Sequence, residues 1–282
     1  MIPAAFGYQR PATIDEALQA IADTARGAKV IAGGQSLLPL LKLRLASADT
    51  LIDIGRIAEL KGLGPTSDGG YEMGALVTYA ELIEATKLAW TAEAIGLIGD
   101  VQVRNRGTVG GAVAHCDPAS DLPAMGLALD YSVVLRSARG ERVVPLDGFF
   151  EGPFQTGMES DELVIKLRRG PLPAGASGAY RKLAQPASGY SIVGVAAVVA
   201  STGGSVSHAR VALTGVGEAP YRAKAVEAAL LGSDGSAAAV AAAAAHATDG
   251  VAVNNDIHAD REYRTAMAAV YTRRAIEGAL GR

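Results

Sequence analysis

Two glycine pairs in similar surroundings constrain this sequence more than any other feature. The first pair lies in residues 32–36 (AGGQS), directly after the short apolar run 29–31 (KVI). A strand that ends at a glycine pair can turn sharply, because glycine adopts positive φ angles without a Cβ clash. Such a turn can present successive backbone N–H groups to an anion. Since the chain contains 34 glycines, one pair alone is equally well explained as an ordinary turn.

The second glycine pair makes a ligand site the better interpretation. It lies in residues 108–114 (TVGGAVA), again beside small and hydroxyl residues, and it is followed by residues 115–121 (HCDPASD). Two loops that can hold phosphate, with carboxylates after the second, suit a dinucleotide. Such a ligand presents both a pyrophosphate and ribose hydroxyls.

Composition excludes several classes of protein. The 282 residues are 49% hydrophobic, which is ample for one or two domains with a buried core. The net charge of −3 and the absence of a basic stripe argue against nucleic-acid binding. No apolar run of about 20 residues is present, so no membrane span is predicted. The first residues do not resemble a secretory signal, and we expect a cytoplasmic protein.

The chain has one cysteine, Cys116, so it cannot form an internal disulfide. A [2Fe–2S] cluster needs four protein ligands, which are usually all cysteines. Any iron–sulfur cluster that serves this chain must therefore lie on another polypeptide.

Periodicity and capping signals predict the secondary structure. Thr13 with Glu16, and Thr78 with Glu81, form capping boxes at the start of two helices. Further patterns predict helices over 13–24, 91–98, 222–231, 236–248 and 260–280, and strands over 30–32, 50–54, 71–75, 133–135, 142–144, 163–167, 191–200 and 206–216. Residues 171–175 (PLPAG) are predicted to be a linker. Lys42 and Arg44 either face a phosphate or lie on a solvated surface.

The residues that usually carry out bond-making chemistry are not arranged for it here. The four histidines lack the spacing of metal ligands, except in the consecutive His115-Cys116-Asp117, and zinc sites use wider spacings. No metal site is therefore predicted. No Ser-His-Asp set or G-x-S-x-G motif is present. The chemistry is expected to come from a cofactor.

The stretches AGGQSLLPLLKLRLA, from Ala32, and RNRGTVGGAVAHCDPASDLPA, from Arg104, resemble the FAD-binding medium subunit of molybdenum hydroxylases. That family includes subunits of carbon monoxide, nicotine, caffeine and xanthine dehydrogenases, and the resemblance covers nearly the whole chain. It implies an α+β fold, with a two-subdomain PCMH-type FAD-binding domain followed by a smaller α+β C-terminal domain. The expected boundaries are 1–174, with subdomains of about 1–57 and 58–174, and 175–282.

The resemblance also implies roles for individual residues. The first motif would hold the FAD pyrophosphate and the second would close on the same cofactor, and Asp121 would bind the ribose of the adenosine half. Lys182 and Tyr190 would lie near the flavin, and Val164 would form an apolar wall. Asp117 is either a cofactor ligand or part of an Asp-Pro turn, and Tyr190 is either a flavin contact or simply the start of a strand. The remaining cofactor-binding candidates are Ala32, Gly33, Gly34, Gln35, Ser36, Thr108, Gly110, Gly111, Val113 and His115.

Two positions depart from subgroups of the family. Residue 35 is glutamine, where carbon monoxide dehydrogenases often have histidine, and residue 112 is alanine, where xanthine-type enzymes have asparagine. Neither change removes a backbone donor, so FAD binding is still expected. Both favour a substrate outside those two subgroups, such as an N-heterocycle.

The function implied is an FAD-binding electron-transfer subunit of a heterotrimeric molybdenum hydroxylase. Its expected partners are a large molybdopterin-binding subunit and a small [2Fe–2S] subunit, and the expected assembly is a dimer of heterotrimers. One alternative is a self-sufficient FAD-dependent oxidoreductase of the same fold. Another is a nucleotide-binding or assembly protein without activity. That alternative would leave unexplained the flavin side of the cleft expected between the two subdomains.

Overall fold

Three β-sheets of three to five strands alternate with layers of helices, and a further sheet has only two strands. The computed structural model describes residues 2–23 and 27–282. The strands within these residues are β1 (Gly7–Gln9), β2 (Ala28–Ile31), β3 (Thr50–Asp53), β4 (Leu63–Pro65), β5 (Tyr71–Gly74), β6 (Ser132–Ser137), β7 (Gly140–Pro145), β8 (Phe150–Gly152), β9 (Gln155–Thr156), β10 (Leu163–Arg169), β11 (Ser177–Ala184), β12 (Ser191–Thr202), β13 (Ser205–Thr214) and β14 (Tyr221–Arg222).

The helices surround these sheets and fill the space between them. They are α1 (Ile14–Asp23), α2 (Leu37–Leu43), α3 (Tyr79–Ala85), α4 (Ala89–Gly96), α5 (Val101–Arg104), α6 (Val109–His115), α7 (Asp121–Ala128), α8 (Lys224–Leu230), α9 (Ala237–Ala244) and α10 (Arg261–Ala279), with a 3₁₀ turn at Ala58–Leu60. Within the described residues, no helix is both long and apolar enough to cross a membrane.

The first sheet is parallel, with strand order β1-β3-β2. Helix α1 covers it with an apolar stripe that includes Ile14, Ala17 and Leu18. The Thr13 hydroxyl accepts from the Glu16 N–H at 3.1 Å, as the capping box predicts, although the Glu16 carboxylate accepts from the Ala12 N–H instead of that of Thr13. The predicted helix over 13–24 is therefore found at Ile14–Asp23, and residue 24 lies outside the described residues.

The second sheet is antiparallel, with strand order β4-β5-β10-β6-β7, and both of its faces are covered. Alternate side chains of a strand point to opposite faces. Accordingly, Val134 and Leu163 pack toward the first sheet and α1, whereas Val133 and Leu135 pack toward helices α3 to α7.

Helix α7 lies between the second sheet and the third. All eight of its residues are buried, which is the pattern of a helix that is surrounded by protein on every side. The third sheet is antiparallel, with order β11-β12-β13-β14, and helices α8 to α10 cover its far face. Because both faces are covered, residues 191–200 of β12 are buried without interruption.

Two segments differ from the secondary structure expected. The second glycine motif is a helix, α6, that begins directly after the N-cap Thr108, so its glycines lie in the first helical turn and not in an open loop. Residues 37–43, for which no helix was predicted, form α2, and Lys42 and Arg44 are exposed at its end. The signal for α6 was present in the sequence, because threonine is a favoured N-cap residue.

Glycine is required at position 110 by a close backbone contact. A Cβ there would lie 2.5 Å from the Ala75 Cβ and 2.8 Å from the Ala75 carbonyl oxygen. We expect Gly110→Ala to lower the free energy of unfolding by about 1–3 kcal/mol, the usual cost of overpacking. Gly96→Ala is the control, because Gly96 ends α4 with no atom near its would-be Cβ, and it should change stability by less than about 1 kcal/mol. Urea titration would measure both, and equal effects would contradict the packing role.

Candidate functional site

The two glycine motifs meet in the structure. A Cβ on Gly33 would lie 1.9 Å from the Arg106 carbonyl oxygen and 3.2 Å from the Gly107 Cα. The backbone of the first motif therefore rests directly on the segment that leads into the second. Gly34 has a φ of +75°, which a side chain would strain. These contacts bring the two predicted halves of the site together.

The first motif has backbone donors to offer a ligand. Among the hydrogen bonds of the described residues, none is donated by the amide N–H of Gly34, Gln35 or Ser36. The only side-chain bond of Gln35 runs from Nε2 to the Gly33 carbonyl oxygen at 3.4 Å within the described residues. Successive amides of this kind suit an anion.

The second motif offers no such donors. The Val109 and Gly110 amides donate to the carbonyl oxygens of Val77 (3.0 Å) and Ala75 (2.9 Å). The Gly111 amide donates to the Thr108 hydroxyl at 3.2 Å. The hypothesis that both glycine pairs bind phosphate through free amides is therefore wrong for the second pair. Gly111 is only partly buried, so its face of α6 can still lie against a ligand.

A buried carboxylate joins α7 to the third sheet. Asp121, the first residue of α7, is only 5% exposed. Its Oδ2 accepts from the Lys182 ammonium at 2.8 Å, and its Oδ1 accepts from the Ser191 hydroxyl at 2.7 Å and from the Tyr180 hydroxyl. The Lys182 side chain is itself 4% exposed. The charges thus compensate each other in a site that is largely closed to water.

Tyrosines surround this ion pair. Burial, followed by the charge of Asp121, raises the pKa of Tyr180 far above its usual range. Burial and Asp121 also raise the pKa of Tyr79. Tyr190 differs because it is 51% exposed. It lies at the end of a turn in which the Gln185 side chain accepts hydrogen bonds from two backbone N–H groups. Partial burial, then Asp117 and Asp121, raise the pKa of Tyr190. All three phenols are therefore protonated near neutral pH.

The segment between α6 and α7 is accounted for by local structure. Asp117 accepts from the Ala119 N–H at 2.9 Å, so the turn predicted as the alternative for Asp117 is present. The His115 ring lies 5.0 Å from that of Phe154, and burial lowers the pKa of the histidine. The Cys116 thiol is buried and donates to the Gly152 carbonyl oxygen at 3.4 Å, and burial raises its pKa to about 11. An acceptor-bonded thiol of this kind is not a nucleophile.

Two of the predicted contacts find no support. Val113 is 1% exposed and Val164 is 4% exposed, and both belong to the hydrophobic core that surrounds α7. Their contacts with a cofactor remain predictions. Across the described residues, no three His, Cys, Asp or Glu side chains form a group that could hold a metal ion.

Sequence reasoning missed Tyr180, Ser191 and Tyr79 as parts of this cluster. The sequence could have indicated Tyr180, because it lies two residues before Lys182 on β11 and side chains two apart on a strand share one face of the sheet. Ser191 begins β12 directly beside the end of β11. No local signal relates Tyr79 to Asp121, since the charge of Asp121 acts on the pKa of Tyr79 from a separate helix.

The predicted roles of Asp121 and Lys182 are difficult to combine. Asp121 was expected at the ribose of the adenosine half and Lys182 near the flavin. In the structure, however, their charged atoms are 2.8 Å apart. Because the three protein donors already occupy both oxygens of Asp121, the structure gives this residue a way to fix Lys182 and Tyr180 in place. Its contact with a ribose remains a prediction.

Comparison with known proteins gives matches along nearly the whole chain. Residues 4–169 match the family described as FAD binding domain in molybdopterin dehydrogenase, and residues 178–279 match the CO dehydrogenase flavoprotein C-terminal domain. The carbon monoxide dehydrogenase medium chain of Hydrogenophaga pseudoflava is 38% identical, over 100% of this chain and 99% of its own length. The glyceraldehyde dehydrogenase medium chain of Sulfolobus acidocaldarius is 37% identical, over 82% and 83% of the two chains.

A solved structure agrees with these matches. The carbon monoxide dehydrogenase from H. pseudoflava that lacks the Mo-pyranopterin moiety superposes with a TM-score of 0.96 at 41% identity, over 100% of this chain and 99% of that one. The similarity to carbon monoxide dehydrogenases gives no support to the expectation that Gln35 separates the chain from that subgroup.

The buried pair of Asp121 and Lys182 can be tested through stability. We expect Asp121→Asn and Lys182→Met each to lower the free energy of unfolding by about 3–5 kcal/mol, because each leaves a buried group without its partner. The double variant should lose less than the sum, which would measure the coupling between the two groups. The half-exposed pair Lys166 and Glu72, 3.2 Å apart, is the control, and its single variants should cost less than about 1 kcal/mol. Additive losses in urea titrations would contradict the pairing.

Proposed function

The chain belongs to the family of FAD-binding medium subunits of molybdenum hydroxylases, and we propose that it carries electrons from iron–sulfur clusters on a partner chain to an external acceptor. It is the flavoprotein subunit of an oxidoreductase. The observation that carries the proposal is the meeting of the two glycine motifs beside a buried Asp121–Lys182 pair in a chain with one cysteine.

The donors of the first motif fit the diphosphate of FAD. The N–H groups of Gly34, Gln35 and Ser36 have no acceptor among the described residues, and Gly33 and Gly34 bring no side chain between them and a ligand. We assign these amides, with the Ser36 hydroxyl and the backbone of Ala32, to the pyrophosphate. Thr108, Gly111 and His115 would line the opposite wall through α6, while Gly110 supports that wall from behind.

The residues of the Asp121 cluster fit the flavin half. Tyr190 presents a half-exposed aromatic ring beside the cluster, and such a ring can stack on the isoalloxazine. Lys182 supplies a positive charge, which would stabilise negative charge on the reduced ring. Asp121 is then a positioning residue, since it holds Lys182 by one oxygen and Tyr180 by the other. When bound, FAD supplies the redox chemistry by accepting electrons from the clusters and passing them on.

The partners follow from what this chain lacks. A [2Fe–2S] cluster needs four ligands and the chain has a single cysteine, buried with a raised pKa, so the clusters belong to a second chain. The relatives are called medium chains, which implies larger and smaller companions in those enzymes. We propose a large molybdopterin-binding subunit and a small [2Fe–2S] subunit for this chain too, in a cytoplasmic dimer of heterotrimers. The substrate would then be oxidised on the large subunit.

The place of Tyr190 can be tested with cofactor fragments. If Tyr190 stacks on the flavin ring, Tyr190→Ala should lower the affinities for FAD and for FMN by the same factor, roughly three- to tenfold, because both cofactors contain the ring. Binding of ADP, which lacks it, should not change. Tyr263→Ala is the matched control, since Tyr263 is a tyrosine of similar exposure, 47%, on α10. Titrations of the apoprotein would measure these affinities, and a loss shared by FAD and ADP but not by FMN would instead place Tyr190 at the adenosine half.

The electron-transfer role can be tested by comparing the chain alone with the complete complex. We expect the isolated chain to bind FAD without a covalent bond, so that acid releases the flavin, and to oxidise no organic substrate. In the complex, Lys182→Ala should slow reoxidation of the flavin and leave reduction of molybdenum by substrate unchanged. Stopped-flow absorbance at flavin and iron–sulfur wavelengths separates these steps. Flavin reduction by substrate in the isolated chain, at the rate of the complex, would support the self-sufficient oxidoreductase instead.

A further inference from the structure

A cavity of about 220 Å³ lies between the second sheet and helices α3, α4 and α7, and its lining includes none of the candidate cofactor-binding residues. Leu122, Met125 and Leu129 line it from α7 and the residue that follows it, at the spacing of one helix face. Met73 and Leu167 line it from the sheet. Gly69 and Lys87 lie exposed at its rim, so the cavity is open to solvent on that side.

The charged groups at this cavity are all positive. Arg169 and Lys87 belong to its lining, and the lining contains no carboxylate among the described residues. Over residues 2–23 and 27–282, neither cation forms an ion pair. Such a cavity attracts anions and not cations.

Arg169 is held in place but is not saturated. Its guanidinium carbon lies 5.8 Å from the ring centres of both Tyr71 and Tyr131, so two aromatic rings fix its position. One terminal nitrogen donates to the Gly170 carbonyl oxygen at 2.9 Å. The Nε–H is buried and donates to no atom of the described residues. A buried donor without an acceptor is uncommon in proteins and is the feature that an incoming acceptor would satisfy.

We propose that this cavity is a binding site for a small aromatic or branched aliphatic carboxylate, distinct from the FAD site. The apolar body would lie among the leucine and methionine side chains, and the carboxylate would accept from Arg169. Burial raises the pKa of Tyr131 to about 12, so its hydroxyl remains protonated and can donate as well. An engineered cavity of about 150 Å³ in another protein holds benzene, so the present one has room for a benzoate-sized molecule.

The test is titration of the full chain, loaded with FAD, with benzoate and with its neutral analogue benzamide. Isothermal calorimetry should show saturable binding of benzoate, at least roughly tenfold tighter than that of benzamide, because the two differ mainly in the charge that Arg169 recognises. The flavin absorbance should remain with the protein throughout. Absence of saturable benzoate binding, or equal affinity for the two compounds, would overturn the proposal.

Variants locate the site. Arg169→Gln should bring the affinity for benzoate down to that for benzamide, and Arg168→Gln should not, since Arg168 is the adjacent arginine on the opposite face of β10 and does not line the cavity. Leu88→Trp, which fills the cavity from a partly exposed position, should abolish binding of both compounds. Unchanged benzoate affinity in Leu88→Trp would show that benzoate binds elsewhere and would overturn the proposal even if Arg169→Gln failed to fold.

Discussion

The hydrogen bonds around Asp121 connect the parts of this protein on which its site depends. Asp121 begins α7, which belongs to the FAD-binding region, and all three of its donors come from the C-terminal sheet. The preceding residues are held by the same sheet, because the Thr214 hydroxyl and the Gly215 amide both donate to the Pro118 carbonyl oxygen. The C-terminal sheet therefore holds the segment between α6 and α7 in place. These contacts help to set the position of Lys182 and Tyr190 relative to the glycine motifs.

A buried ion pair of this kind is a weak source of stability, because removing two charges from water costs about as much as their attraction returns. The role of the pair here is to fix the position of the Lys182 ammonium. A lysine side chain is flexible, and an ammonium near a redox cofactor is useful only if it stays in one place. Asp121 holds the Lys182 ammonium at 2.8 Å, and Tyr180 and Ser191 hold Asp121 in turn. Packing of α7 between two sheets keeps the arrangement rigid, since every residue of that helix is buried.

Local signals in the sequence predicted most of the elements, and contacts between distant segments account for what was missed. The capping box of Thr78 and Glu81 is present with both of its bonds, and the strands predicted over 133–135 and 142–144 are found in β6 and β7, which pair with each other. The position of Asp121 was identified from its motif, but its partners lie about 60–70 residues further along the chain. Only the fold brings Tyr180 and Ser191 to it. The burial of Val113 and Val164 was equally inaccessible, because both are covered by elements remote in sequence.

The two glycine pairs show why similar motifs need not do similar work. In both, the missing side chain permits a close backbone approach, at Gly33 to Arg106 and at Gly110 to Ala75. The difference lies in the amides. Where the chain turns without regular structure, as at Gly34 to Ser36, the N–H groups remain available to an anion, whereas in α6 the N-cap and the Ala75–Val77 carbonyls use the donors. Thr108, two residues before Gly110, caps α6 and accepts from the Gly111 amide, whereas the alanine before Gly33 has no side chain that could accept. The free donors at the first pair alone suit an anion, and the proposed role of the second pair is to form the wall beside that ligand.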